Sequence, residues 1–491
     1  MAKAAAVALS HPAQAATLSI MIEIRRIVEW AGAIGLAATA LLAGCSATSL
    51  NPEAESNRSG AMQDVDRMLA EVSPQAVKEI VETLVTFGTR HTLSDTESDT
   101  RGIGAARRWI HREFEKIALL SERTDGEAMK VYFDSHAYGP DRRRVPVETE
   151  IVNVVAELPG SMLSARSRRY YVIGHYDSRA GEALDTTTDA PGANDDASGV
   201  AVVMELARVM SKRRYDATIV FMATAGEEQG LLGARLHATV ARERGEDIRA
   251  VLSNDIVGDP KSPSGRVFDK HIRVFSEALP RTLAAEDLAR IRSLGMENDS
   301  PSRQIARYVA ETARKHGLAV QPMLINRTDR FLRGGDHTSF NEAGYPAVRF
   351  TIVEENYDRQ HQDVRLVDGV QFGDLPEYVD AQYLAGVTRV NGAALAHLAN
   401  APSTPGNARI VTAALGNDTL LRWNASPEAD VAGYEVVWRA TIEHEWTDVH
   451  DAGLETEVTL PFSKDNHFFG VRAYDRDGYR SPVSFCGAAG R

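Results

Sequence analysis

From residue 170 onward, short runs that are apolar at nearly every position alternate with longer runs that are apolar on one side only. YYVIG (170–174), ATIVFMAT (217–224), AVLSNDIVG (250–258) and PAVRFTIVE (346–354) are of the first kind. ASGVAVVMELARVM (197–210), LLGARLHATVARER (231–244), PSRQIARYVAETARKHG (301–317) and DAQYLAGVTRVNGAALAHLA (380–399) are of the second. Successive side chains of a strand point to opposite faces, so a strand with no polar alternation must be covered on both. Strands of that kind alternating with helices predict an α/β fold whose sheet is largely parallel. Ahead of them, residues 62–118 read as helices, with apolar spacing in QAVKEIVETLVTF (75–87) and TRGIGAARRWIHREFEKI (100–117). KVYFDSHAYG (130–139) and VETEIVNVVAELPG (147–160) read as strands.

In sheets of this type, ligands bind beyond the carboxyl ends of the strands. Polar residues fall there repeatedly. His175 and Asp177 follow the strand YYVIG, Glu227 and Glu228 follow ATIVFMAT, Asp255 ends AVLSND, and His361 lies in ENYDRQHQDVR after PAVRFTIVE. Asp195 and Asp196 sit in GANDDASG (192–199), ahead of a helix. Each alone has an ordinary explanation: an aspartate in a turn is usually a helix cap, and an acid pair is usually solvated. Together they are harder to dismiss. Carboxylates crowded into one cleft raise one another's pKa unless cations neutralise them. Two imidazoles among carboxylates form a donor set suited to zinc, laid out for two ions that share a bridging aspartate.

The segments HYDS (175–178), PGANDDASG (191–199), TAGEEQGLLGA (224–234), SND (253–255), GGDHTSFNEAGYPAVRF (334–350) and NYDRQHQD (356–363) resemble, in order, the co-catalytic di-zinc aminopeptidases of peptidase family M28. The resemblance spans about residues 62–398. It implies an α/β/α sandwich around a central mixed, mostly parallel sheet, and two Zn2+ per chain. It implies that His175 and Asp255 hold one ion, Glu228 and His361 the other, and that Asp195 bridges both. Glu227 would be the general base and Asp177 would orient the ring of His175. The Asp195–Asp196 peptide would be cis. The substrate would be a peptide with a free N-terminus. The oxyanion donor is open: Gln360 stands where several members of the family carry a tyrosine, and Tyr357 and Arg333 are the nearby candidates. His337 is expected in the pocket wall rather than as the last ligand, and loops 259–300 and 321–341 are expected to shape that pocket, the first as an insertion or lid. Glutaminyl cyclases and glutamate carboxypeptidases of the same wider family are the alternative enzymes. A catalytically dead binding protein would be expected to have lost ligands.

The two ends of the chain differ from this body. MIEIRRIVEW (21–30), AGAIGLAATALLAG (31–44) and Cys45 read as a charged region, a short apolar region and a cleavage site, with Met21 the better start of such a signal. LAGC (42–45) also resembles a bacterial lipobox, which implies lipidation at Cys45 and a protein exported and tethered to a membrane, or secreted. Residues 46–61 read as a linker. At the other end, 400–407 (NAPSTPGN) reads as a second linker. TLLRWNAS, AGYEVVWRA, TEVTL and FFGVRAYDRDG then predict a small all-β sandwich over 408–488 that resembles a fibronectin type III module. Its Trp438 and Trp446 are either core residues or outward anchors for cell-surface material. The chain thus divides into leader (1–45), linker (46–61), peptidase-like domain (62–399), linker (400–407) and sandwich (408–488). Its net charge of −13 leaves no basic surplus for nucleic acid. With Cys45 and Cys486 as its only cysteines, no disulfide framework holds it together.

Overall fold

The computed structural model describes residues 52–121, 128–412 and 416–488. The leader, the lipobox-like LAGC and Cys45 lie outside the described residues. Three helices come first: α1 (Pro52–Ala70), α2 (Pro74–Val85) and α3 (Gly102–Leu120). The sheet strands are β1 (Lys130–Tyr138), β2 (Thr149–Leu158), β3 (Arg168–His175), β4 (Thr218–Thr224), β5 (Asp247–Asn254), β6 (His271–Ser276), β7 (Gln321–Ile325) and β8 (Ala347–Thr351). They pair in the order β1-β2-β4-β3-β5-β8-β6-β7. β4, β3, β5 and β8 form a parallel block, flanked by antiparallel pairings of β2 on β4 and of β6 on β8. The central sheet is therefore mixed.

The continuous apolar strands are explained by cover on both faces. Tyr171, Ile173, Val220, Met222 and Val251 point to one side, where they meet α5 (Leu232–Glu243) and α8 (Asp336–Glu342) through Ala234, Ala238 and Phe340. Their neighbours Tyr170, Val172, Ile219, Phe221 and Leu252 point to the other. There they meet α4 (Ser198–Met210), α7 (Pro301–Lys315) and α9 (Ala381–Asn400) together with the N-terminal helices. Ser300 caps α7, its hydroxyl accepting from the Arg303 N–H with Pro301 at the first helical position.

The stretch 259–300 is not a simple insertion or lid. It contains β6, an internal strand between β8 and β7, and the short helix α6 (Ala285–Ser293). β6 escapes a composition reading because its buried Ile272 and Val274 alternate with His271 and Arg273 inside a polar stretch. β7 takes the edge of the sheet, and α8 lies within the loop region expected from 321 to 341.

The C-terminal region forms two four-stranded sheets facing a common core of Leu421, Trp423, Tyr434, Val436, Leu460, Phe469 and Val471. One sheet is built on β9 (Val431–Ala440) and β10 (His467–Asp475), paired antiparallel. Segment 400–407 is tied down: Ala401 is buried and accepts from Arg168, and Ser403 donates to Glu428 through both N–H and hydroxyl. The sandwich is clamped to α7. Asp299 is ion-paired with Arg439 at 2.7 Å and Arg307 at 2.9 Å, with its side chain fully buried. The Trp446 indole donates to Gln304, and Tyr308 donates to the carbonyl of Arg480. Trp446 therefore faces inward onto α7, while Trp438 packs against Phe462. Glu435 is buried, which favours its neutral form, but Arg480 and Arg472 hold it down at about 2.

Two predictions follow from the clamp. Asp299→Asn leaves Arg307 and Arg439 as buried cations without their counter-charge, so it should cost about 3 kcal/mol in urea unfolding. A loss below about 1 kcal/mol would show that the pair does not hold the two parts together. A carboxylate with a depressed pKa contributes stability above its unfolded value and loses it as pH falls. The contribution of Glu435 should therefore fade between about pH 4.3 and pH 2 and be missing in Glu435→Gln, as read by acid titration of the unfolding midpoint.

Candidate active site

Because β3, β4 and β5 run parallel in close register, their carboxyl ends deliver residues to one place. His175 is the last residue of β3, opposite Thr224 of β4, and Asp255 directly follows β5. The turn at Ala193–Ala197 brings Asp195 into the same space, and its peptide bond to Asp196 is cis. His361 arrives from the segment after β8, at a backbone φ of 52°.

The two oxygens of Asp195 face different groups. Oδ1 lies 3.2 Å from His175 Nε2, which is itself 3.9 Å from Asp255 Oδ1. Oδ2 lies 3.1 Å from His361 Nε2, which is 3.0 Å from Glu228 Oε1. The result is two three-residue clusters, His175–Asp195–Asp255 and Asp195–Glu228–His361, each with its donor atoms within 4.8 Å of one another. His175 Nε2, Glu228 Oε1 and Asp255 Oδ1 are buried and make no hydrogen bond. Buried polar atoms are normally satisfied, so three orphans aimed at one space are the mark of a site shaped for cations. Two imidazoles and three carboxylates, one of them presenting an oxygen to each cluster, fit a pair of divalent ions.

The electrostatics agree. Burial disfavours charge on both rings, but the carboxylates around them win: Asp177, Asp195 and Asp255 raise His175 well above the usual range, and Glu228 and Asp195 raise His361 to about 10. Asp195 is buried too, yet the two imidazoles hold it well below an ordinary carboxylate. Burial pushes Glu227 up, and the charges of Asp255 and Glu228 add to it.

A further layer fixes the donors. Asp177 Oδ1 accepts from the Glu227 N–H at 3.2 Å, and its Oδ2 accepts from the Glu228 N–H at 3.1 Å and from Thr92 Oγ1 at 2.9 Å. His175 Nδ1 lies 3.1 Å from the Asp177 carbonyl and 3.4 Å from its carboxylate. Asp196, fully buried, accepts from the backbone N–H groups of His175, Gly199 and Ile256, so it joins β3, α4 and the end of β5. Asp374 accepts from the N–H groups of Asn194 and Asp195, and burial pushes it to about 7. Arg90, also fully buried, donates to the carbonyls of Tyr176, Pro191 and Gly192. Arg349 pairs with Asp255 Oδ2 at 2.8 Å, leaving Oδ1 to face the cleft. Gln360 Nε2 donates to Asp195 Oδ2 at 3.0 Å. Asp374, Arg90 and Thr92 were not legible in the sequence, since nothing in FGDLP, TRHT or their spacing distinguishes them from loop residues.

Glu227, Glu228, Asp195, Asp255 and His361 line a cleft of about 440 Å3 together with Arg333. Two expected pocket residues do not line it. His337 is fully buried, with Nε2 against the Thr328 carbonyl and 3.6 Å from Asp329, because it sits on the inward face of α8. Tyr357 is 55% exposed and lies beneath the guanidinium of Arg333. Of the two loops expected to shape it, 321–341 contributes Arg330, Leu332, Arg333 and Gly334, and 259–300 contributes none.

Residues 153–375 match peptidase family M28. A probable zinc metalloprotease of Leptosphaeria maculans is 46% identical over 423 residues, 86% of this chain and 96% of that protein. Another, of Pyrenophora tritici-repentis, is 44% identical over 421 residues, 85% of this chain and 86% of that protein. Among solved structures, the LapA aminopeptidase of Legionella pneumophila matches with 21% identity over 69% of this chain and 74% of that one, at a TM-score of 0.48.

Since Asp177 acts on the donors rather than as one of them, Asp177→Ala should weaken divalent-cation affinity about 10- to 100-fold without unfolding the protein. Competition against a chelator measures this; unchanged affinity would deny Asp177 its orienting role. Because the surrounding carboxylates raise both His175 and His361, cation uptake should displace protons. Calorimetry near pH 7 in buffers of different ionisation enthalpy should show proton release, and affinity should fall as pH is lowered.

Proposed function

The chain belongs to peptidase family M28, and from its site we propose that it is a zinc aminopeptidase that removes residues from the free N-termini of peptides. The observation that carries this reading is Asp195, whose two carboxylate oxygens face two separate donor clusters. His175, Asp195 and Asp255 would hold one Zn2+, and Asp195, Glu228 and His361 a second. When bound, the ions supply Lewis-acid polarisation of the scissile carbonyl and lower the pKa of water.

The protein's own groups do the rest. Glu227 stands beside both clusters on the cleft wall, held by the bond from its N–H to Asp177. Its carboxyl, raised by burial and by neighbouring carboxylates, is poised to take a proton from the attacking water and return it to the leaving amine. Asp177 keeps His175 in one orientation, with Nδ1 toward Asp177 and Nε2 toward the cleft. Gln360 is committed to Asp195, which argues against it as the oxyanion donor; Arg333, on the cleft wall, is the better placed of the candidates. The full donor set disfavours a dead binding protein on the same scaffold. We read the C-terminal sheets as a fibronectin type III-like module serving the body to which they are clamped, and the leader with Cys45 as an export and lipidation signal.

The test is metal content and turnover together. Protein from residue 46 should carry two zinc ions by mass spectrometry, cleave aminoacyl anilides and spare N-blocked peptides. Glu227→Gln should keep its zinc and lose turnover by about 10^2- to 10^4-fold. One zinc with glutamine cyclisation would replace this reading with a cyclase, and release of C-terminal glutamate from blocked peptides would replace it with a carboxypeptidase.

A further inference from the structure

The cleft is ringed by arginines. Two are neutralised by the protein itself: Arg349 pairs with Asp255 and Asp329, and Arg330 pairs with Asp329 and Glu355. Three are not matched in this way. Arg144 donates to the main-chain carbonyl of Glu228 and, among the described residues, has no carboxylate partner. Arg179 donates to the carbonyls of Ala180 and Gly181, and its nearest carboxylate oxygen, on Glu228, is 4.0 Å away. The guanidinium of Arg333 lies 5.3 Å from the centre of the Tyr357 ring and likewise has no carboxylate partner among the described residues. All three line the same cleft. They come from three separate segments, after β1, after β3 and before α8.

Their convergence is informative because the acids of the cleft are already engaged. Asp255 is paired with Arg349, and Asp195 and Glu228 belong to the donor clusters. Apart from these, the cleft is lined by one further acid, Glu227, against the three arginines. A guanidinium presents its donors in a planar fork that matches a carboxylate in two parallel bonds. A cleft lined by one sign of charge also concentrates ligands of the other sign. Apolar substrates would leave these groups facing empty solvent at the mouth.

The geometry points to a substrate carboxylate as the specificity element: Arg144, Arg179 and Arg333 form a clamp for short acidic peptides next to the scissile bond. This assignment rests on the peptidase reading above. The carboxylate could be an aspartate or glutamate side chain, or the C-terminus of a very short peptide.

Two arms separate these sources on the zinc-loaded full protein. Glutamyl, aspartyl, leucyl and lysyl anilides test the side chain; Leu-Leu against Leu-Leu-amide tests the C-terminus. At least one arm should show a tenfold or larger advantage in kcat/KM for the carboxylate-bearing substrate, shrinking as salt is raised. Arg144→Ala and Arg179→Ala should each reduce that advantage about 5- to 20-fold. Equal kcat/KM across both arms, or an advantage untouched by the variants, would overturn the clamp. Calorimetric titration with L-glutamate and L-leucine provides a readout that needs no turnover. Tighter L-glutamate binding that both variants weaken, in a protein that cleaves nothing, would sink the peptidase reading and keep the clamp. Equal binding of the two, with turnover of leucyl anilide, would do the reverse.

Discussion

Mutual repulsion among buried carboxylates governs this structure. Parallel strands bring Asp255, Glu227 and Glu228 to one end of the sheet, and the turn before α4 adds Asp195 and Asp196. Charges so placed cannot all persist in a low-dielectric interior without compensation. The acids raise His175 and His361, and burial with neighbouring carboxylates raises Glu227, so the cluster favours positive charge among its oxygens. The same arrangement suits cations, because His175 Nε2, Glu228 Oε1 and Asp255 Oδ1 are buried without a hydrogen-bond partner.

The acids divide their work by what their oxygens touch. Asp195, Glu228 and Asp255 turn toward the cleft. Asp177, Asp196 and Asp374 turn toward backbone N–H groups instead, and so fix the loops on which the first three are carried. Arg90 completes the frame from the side of the carbonyls. Adjacent residues such as Asp195 and Asp196 thus have opposite tasks, one facing the site and the other joining three elements beneath it.

The C-terminal sheets belong to the same compact unit as the body. Their contact with α7 is charged and aromatic: Asp299 between two arginines, Trp446 on Gln304, and Arg472 pairing with Glu311. α7 also lies against the sheet through Ile305 and Val309. One helix therefore links the sandwich to the layer that carries the strands of the site.

What the sequence determined by itself was whatever repeats or stands in a motif. Continuous apolar strands declared a sheet covered on both faces, and His175, Glu227, Glu228, Asp255 and His361 after strands, with Asp195 in a turn before a helix, stood out because their residue types suit cations and their motifs resemble a family. Strand β6 was missed because its alternation is brief and charged on one side. Tertiary structure alone decided which oxygen faces which group, that His337 is buried while Arg333 lines the cleft, and that Asp374, 179 positions from Asp195, holds its backbone. The reason is physical: periodicity and motif are local properties of a chain, whereas hydrogen bonds and ion pairs between distant segments exist only once packing has brought them within about 3 Å.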